Sequence, residues 1–429
     1  MAGIPLLTWP FAWRHLKREW ESLNPESSCS QPNPHAPPPP DAPEPRPQPT
    51  SRAGASRRTP HPLDPRLEDA LAAEARKNYK EFLDGIDAWR SHPARRNLPD
   101  TPVLWQEGSV RLLDYAPTAP RGVPVVFVIP SLINRSYILD LDTDHSWLRA
   151  LAAKGLRPML LDWGRAGASE RALDMSGYLI TRIAPALETA LRIGGQPVAT
   201  VGYCMGGLLA LAAAARWPAS IRAVALLATP WDFHAGRNPK EAQAHVSAIE
   251  TWLAPWLKEG AALPVDVLQA LFALMQPVGM VEKFRRFAGM NPHSEAARRF
   301  VLVEDWLNDG VPLPGLVARD GLHDWYRDNL PAQGLWQIAG QTCRAQDIRQ
   351  PALVIVPGQD RIVPPDSARA LARDLPHATL NETALGHIGM IASRRAPRLV
   401  WDPLAQWLLS ESRAPGRKGD KKLFTDFNG

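Results

Sequence analysis

Short, unbroken apolar runs separated by stretches of helical spacing dominate the middle of the chain. The runs are Pro124-Val125-Val126-Phe127-Val128-Ile129, the segment around Met159-Leu160-Leu161, the stretch from Val198 to Gly202, Ala223–Ala228, and Ala352-Leu353-Val354-Ile355-Val356. A strand that is apolar at every position is covered on both faces, as in a parallel sheet with helices on either side. Helical spacing falls at 145–154, 175–193, the Ala/Leu-rich stretch after Met205, 366–374 and 399–409. Ahead of the first run, Leu67, Leu71, Ala75, Tyr79, Phe82, Leu83 and Ile86 mark a helix over 66–92, and 103–106 with 110–115 read as a hairpin around Gly108. The alternation breaks between 238 and 350, where 242–257, 265–275 and 294–307 read as helices without comparable strands. A short strand at 378–381 and a loop carrying His387 follow the last long run. The pattern predicts an α/β doubly wound sheet with a mostly helical cap inserted between two of its strands.

The junction of one run with its helix carries candidate chemistry. Gly202-Tyr203-Cys204-Met205-Gly206 has the form G-x-nucleophile-x-G. In an α/β-hydrolase fold this is the nucleophile elbow, a strand-to-helix turn so sharp that the flanking positions must be small. Gly202 and Gly206 meet that need, and Gly207 would let the helix pack close to the sheet. The nucleophile position holds Cys204 where hydrolases usually carry serine, and the following helix N-terminus favours a thiolate there. A small buried hydrophobe is the plainer reading of this cysteine.

A thiol nucleophile needs a base, and the base an orienting acid, in the chain order nucleophile, acid, His. Asp360 follows the run 352–356, and His387 follows the last short strand. Cys204, Asp360 and His387 are therefore the candidate triad. Asp232 is a rival acid. Asp360 could also merely cap the turn before Pro364-Pro365. Asp162 precedes the nucleophile and is expected to shape the pocket. His145, His234, His323 and His377 lack the loop-after-last-strand setting, and His145 reads as a surface or near-cap residue. Backbone N–H groups of Met205 and Leu132 are the candidate oxyanion donors. The sequence has no H-E-x-x-H, no paired C-x-x-C and no calcium-type acidic run, so neither a metal nor a cofactor is expected.

Composition narrows the picture further. Ten prolines within 31–50 exclude regular structure there, and 24–65 reads as a proline-rich disordered linker. Residues 1–23 form a short amphipathic segment that fits neither a signal peptide nor a membrane helix. Residues 66–411 are the folded α/β domain, with the cap at about 238–350, and 412–429 is a basic disordered tail. A net charge of +5 is spread along the chain without a basic-aromatic motif, so nucleic acid is not an expected partner. The same field would help an anionic substrate such as an acyl-CoA. Three cysteines, one of them in the linker, make no disulfide framework and suit a reducing, cytoplasmic setting.

Cysteine also biases the reaction. Attack on a thioester by cysteine makes another thioester, so the acyl group stays activated for transfer to an alcohol.

Across 66–411 the chain resembles the polyhydroxyalkanoate synthases. The likeness is carried by Trp105-Gln106-Glu107-Gly108, Ile133-Asn134-Arg135-Ser136-Tyr137-Ile138-Leu139-Asp140-Leu141, Asp162-Trp163-Gly164 and Gly202-Tyr203-Cys204-Met205-Gly206-Gly207. Glu304-Asp305-Trp306-Leu307-Asn308-Asp309, Asp360-Arg361-Ile362-Val363-Pro364 and Gly386-His387-Ile388-Gly389 extend it. The resemblance implies an acyltransferase that takes 3-hydroxyacyl-CoA, acylates Cys204, extends a polyester and releases CoA. It implies His387 as base and Asp360 as a residue that helps activate the incoming hydroxyl. It further implies a homo-oligomer in the cytoplasm, with a polyester granule surface or a partner subunit as contacts. A proline-rich linker stands here where longer synthases have an ordered N-terminal domain. The alternative function is that of a Cys-nucleophile hydrolase: an esterase, thioesterase or polyester depolymerase. A non-catalytic granule-associated protein is the third class.

Overall fold

A computed structural model describes residues 65–275 and 277–413. The expected amphipathic segment, the linker and all but the first residues of the basic tail lie outside the described residues. These residues form two compact units. One holds the chain up to Arg90 together with Val281–Gly289, and the other holds Ser91–Met280 and the chain from Met290 onward.

The smaller unit is built on helix α1 (Pro65–Ser91). Phe284 packs edge-on against Phe82 with ring centroids 6.0 Å apart, and Arg285 pairs with Glu81 at 2.8 Å.

The larger unit contains an eight-stranded sheet. The chain enters it through a hairpin, β1 (Val103–Glu107) and β2 (Val110–Asp114), and then β3 (Val125–Ile129). Helix α2 (Trp147–Ala153), β4 (Arg157–Asp162), α3 (Ala184–Gly194) and β5 (Val198–Tyr203) follow. Helix α4 (Met205–Arg216) leads to β6 (Ile221–Leu227). The helical insertion then runs through α5 (Pro239–Leu253), α6 (Val265–Met275), α7 (Pro277–Ala288, which belongs to the smaller unit from Val281 onward), α8 (Glu295–Asn308) and α9 (Gly315–Asp320). The sheet resumes with β7 (Ala352–Pro357), α10 (Pro365–Asp374) and β8 (Ala378–Thr383), and α11 (Asp402–Arg413) closes the described chain. The spatial order is β1-β2-β4-β3-β5-β6-β7-β8. The hairpin joins β4 antiparallel, and every pairing from β4 to β8 is parallel.

The unbroken apolar runs have a direct structural cause. Along β3, Val125, Phe127 and Ile129 belong to one hydrophobic cluster, while Val126 and Val128 belong to the cluster on the other face. Both faces are covered by helices, so no strand position can be polar without cost. The helix read over 175–193 is interrupted: a wider, π-helical stretch at Leu179–Ile183 separates two α-helical parts. Asp174 caps the first part by accepting from the Gly177 N–H at 2.6 Å. The insertion holds α7 and α9, which the apolar spacing did not reveal. No described helix is long and apolar enough to cross a membrane.

The parallel arrangement puts the C-terminal ends of β3, β5, β7 and β8 along one edge, where loops can converge. Leu226 anchors that edge from below. It is fully buried and stands in register with Gly202, two residues before the elbow. Leu226→Ala should cost about 2–5 kcal/mol of stability by removing packed methyl groups. Urea unfolding followed by tryptophan fluorescence measures this, and an unchanged midpoint would contradict the packing described.

Candidate active site

The strand β5 ends in a backbone conformation that few side chains adopt. Cys204 sits at φ 55° and ψ −126°, between the last strand residue and the first turn of α4. Close backbone approach forces the flanking glycines. A Cβ on Gly202 would lie 2.4 Å from the Gly207 Cα, and one on Gly206 would lie 2.2 Å from the Ile129 carbonyl oxygen. The Cys204 N–H is tied to the Leu227 carbonyl at 2.8 Å, and its own carbonyl accepts from the Gly207 N–H at 2.9 Å. The side chain is only partly buried and packs against both hydrophobic clusters.

Three side chains from three loops meet here. His387 Nδ1 lies 2.6 Å from Asp360 Oδ2. Cys204 and His387 line the same cavity, and with Nδ1 engaged by Asp360, Nε2 is the ring nitrogen left for the thiol. Asp360 also does what a turn-capping residue does: its Oδ1 accepts from the N–H groups of Ile362 and Val363 at 2.8 and 2.9 Å. One carboxylate therefore holds the turn with one oxygen and orients the ring with the other. Burial opposes a charge on His387, but the Cys204 sulfur and the Asp360 carboxylate outweigh it and raise the imidazole's pKa to about 10.

The rival groups are engaged elsewhere. Asp232 accepts from the His234 N–H and from Asn329 Nδ2. Asp162 pairs with Arg111 at 2.6 Å and accepts from Ser136 Oγ at 2.8 Å, bracing the turn after the β3 loop. His323 meets Glu250, and His234 meets the Tyr326 carbonyl. His145 is no surface residue: it is buried, with Nε2 3.0 Å from the Ile391 carbonyl oxygen and its ring 4.7 Å from that of Trp401.

The candidate oxyanion donors lie at the expected junctions. Met205 opens α4, and Leu132 lies in the β3 loop with its side chain buried in the core. Among the described hydrogen bonds neither N–H has a partner. The neighbouring Ile133 N–H donates to Ser131 Oγ at 3.1 Å.

Tyr203 was not legible as a functional residue from sequence. Its hydroxyl donates to the His387 carbonyl at 3.1 Å and its ring lies 5.3 Å from the imidazole. Burial, together with charge at Cys204 and Asp360, pushes its phenol well above the ordinary range, so it remains a donor. Position x of G-x-nucleophile-x-G carries no signal for such a role.

The triad opens into a cavity of about 70 Å³. Sheet-side loops supply Ser131, Ile133, Asn134, Ile362 and Ile388, and the insertion supplies Val265, Leu268, Gln269, Phe272, Trp306, Leu307 and Val311. Sites for drug-sized ligands span roughly 300–1,000 Å³. A space of this size holds only a small part of such a ligand. The roof is tied down where Trp306 Nε1 donates to the Arg135 carbonyl at 2.6 Å and Arg135 pairs with Asp309 at 3.0 Å.

A family model described as "alpha/beta hydrolase fold" matches residues 124–259. The chain is 28% identical over 317 residues to the "Poly(3-hydroxyalkanoate) polymerase subunit PhaC" of Haloferax mediterranei, covering 72% of this chain and 64% of that one. It is 29% identical over 297 residues to the protein of the same name from Allochromatium vinosum, covering 68% of this chain and 82% of that one. Among solved structures, a putative non-heme bromoperoxidase, BpoC, of Mycobacterium tuberculosis is 20% identical with a TM-score of 0.43, covering 75% of this chain and 99% of that one.

Two outcomes follow from the site. Iodoacetamide at neutral pH should label Cys204 but spare Cys343, whose thiol is pushed up to about 12 by burial and by Asp347. Peptide mass mapping checks this, and modification of Cys343 in the folded protein would contradict it. The second outcome concerns stability. Because the folded-state pKa of His387 is raised to about 10, its contribution is fully present below the unfolded value near 6.5 and is lost as pH rises through about 10. The Tm gap between the protein and His387→Gln should therefore be wide at pH 6 and narrow toward pH 10. A gap that widened with pH would reverse the assignment.

Proposed function

We propose that this chain, a member of the α/β-hydrolase superfamily akin to the polyhydroxyalkanoate synthases, polymerises 3-hydroxyacyl units from CoA thioesters through a covalent thioester on Cys204. The observation that carries the reading is the convergence of Cys204 and His387 on one mostly apolar cavity, with Asp360 held 2.6 Å from His387 Nδ1 behind them. Named relatives described as polymerases of 3-hydroxyalkanoates support the substrate class.

The Cys204 thiolate attacks the thioester carbonyl carbon, and the oxyanion forms opposite the N–H groups at Met205 and Leu132. Collapse expels the CoA sulfur, which takes the proton from His387 Nε2. The product is an acyl-Cys204 thioester with neutral imidazole. The hydroxyl of a second 3-hydroxyacyl-CoA then gives its proton to Nε2 and attacks the acyl-Cys204 carbonyl. An ester bond forms, the Cys204–acyl bond breaks, and the thiolate returns beside imidazolium. Attack by that thiolate on the lengthened CoA thioester reloads Cys204 and releases one CoA per unit added. Asp360, with both oxygens already engaged, acts through the imidazole by holding Nδ1–H and balancing the ring charge.

The reading places the chain in the cytoplasm with acyl-CoA, at the surface of its polyester product, where a second copy or a partner subunit would join it. Intact-mass measurement after exposure to 3-hydroxybutyryl-CoA tests it. Adducts on Cys204 should grow in steps of one hydroxybutyryl unit, and Cys204→Ala should carry none. Release of CoA with free acid alone and no lengthening adduct would replace polymerisation with hydrolysis.

A further inference from the structure

The cavity above Cys204 is lined mostly by apolar side chains, with Ser131, Asn134 and Gln269 among its polar exceptions. Gln269 is the most telling of them. It stands on α6 among Val265, Leu268 and Phe272 and is 8% exposed. A buried amide in apolar surroundings is costly unless both of its ends find partners. One end has a partner: the Nε2 group donates to the Leu307 carbonyl at 3.3 Å. A carbonyl can only accept, so this bond fixes the amide's orientation and leaves Oε1 as the other terminus. Oε1 has no partner among the described hydrogen bonds. A free, oriented acceptor at the wall of a reaction cavity calls for a donor on the ligand.

Asn134 lines the same wall from the β3 loop at φ 65°. A Cβ added to Gly310 would fall 3.4 Å from Asn134 Oδ1 and 3.7 Å from Gln269 Nε2, so the two amides come close on either side of that glycine. An oriented acceptor in a mostly apolar chamber suits an acyl chain that bears a hydroxyl, and a plain alkyl chain has nothing to offer it.

We propose that Gln269 is a specificity-determining residue whose Oε1 accepts a hydrogen bond from the hydroxyl of the acyl substrate, selecting hydroxyacyl over unsubstituted acyl thioesters. The proposal rests on the acylation of Cys204 set out above and adds the group that reads the substrate. A chamber built to hydrogen-bond a hydroxyl strands its own polar group when the hydroxyl is missing, which is the strongest form of small-molecule discrimination.

The test compares single-turnover acylation of Cys204 by 3-hydroxybutyryl-CoA and by butyryl-CoA, read by intact mass. The protein itself should prefer the hydroxylated thioester by about 100-fold or more. Gln269→Leu should lose most of that preference, by about 10-fold or more, through slower reaction with the hydroxylated substrate and unchanged or faster reaction with butyryl-CoA. Gln269→Glu keeps an acceptor but loses the Nε2–H that holds it on the Leu307 carbonyl, so its preference should fall between that of the protein and that of the leucine variant. Equal acylation of the unsubstituted protein by both thioesters would overturn the proposal whatever the variants do. So would a preference that survives Gln269→Leu. Absence of any adduct on Cys204 from either thioester would instead overturn the acylation reading, and this proposal with it.

Discussion

The site depends on one strained turn. Cys204 is held at positive φ, a conformation that costs on the order of 1–3 kcal/mol and persists only where its surroundings over-determine it. Those surroundings are backbone packed on backbone. Gly202 lies against Gly207, and Gly206 lies against the carbonyls of Ile129 and Pro130. The ends of β3 and β5 and the first turn of α4 thus share one small volume. No side chain can relax such a contact, so the turn lifts its sulfur above the sheet edge. Everything else at the site is arranged around a sulfur whose position is already settled.

Given that position, charge decides the chemistry. An imidazole in this setting should be neutral on burial alone, yet the nearby sulfur and Asp360 hold its proton firmly. In the proposed reaction, a proton held on that imidazole would be the one delivered to the departing CoA sulfur. The aspartate need not take up a proton in any step. Its geometry, with one oxygen on the turn and one on the ring, makes it a fixed countercharge.

Much of the fold could be read before the structure because the parallel sheet writes itself into sequence. β3, β5, β6 and β7 are covered on both faces and so are apolar at nearly every position, and the order of β5, β7 and the short β8 along the chain gives the order of the loops that carry Cys204, Asp360 and His387. The elbow was legible for a different reason: backbone crowding forces glycine at fixed spacing. What stayed hidden depends on contacts between distant segments. Tyr203 looks like any last strand residue until its hydroxyl meets a carbonyl 184 positions away. His145 reads as a helix-start surface residue, and only the approach of Ile391 and Trp401 buries it. The helices of the insertion pack partly through half-buried, mixed faces, so α7 and α9 left a weak periodic signal.

The insertion also bears on why a thiol would be used. An acyl-Cys204 thioester can go to water or to an alcohol, and a thioester loses little activation while it waits. Which acceptor wins depends on what reaches the sulfur. Valine, leucine, phenylalanine and tryptophan side chains from the insertion make the roof of a cavity that offers water few partners. A hydroxyacyl unit can bring both an alkyl body for those walls and a hydroxyl for the imidazole. On the proposed reading, roof and nucleophile act on the same choice from opposite sides: the sulfur would keep the acyl group transferable, and the apolar chamber would raise the share of encounters in which the attacking oxygen carries a carbon chain.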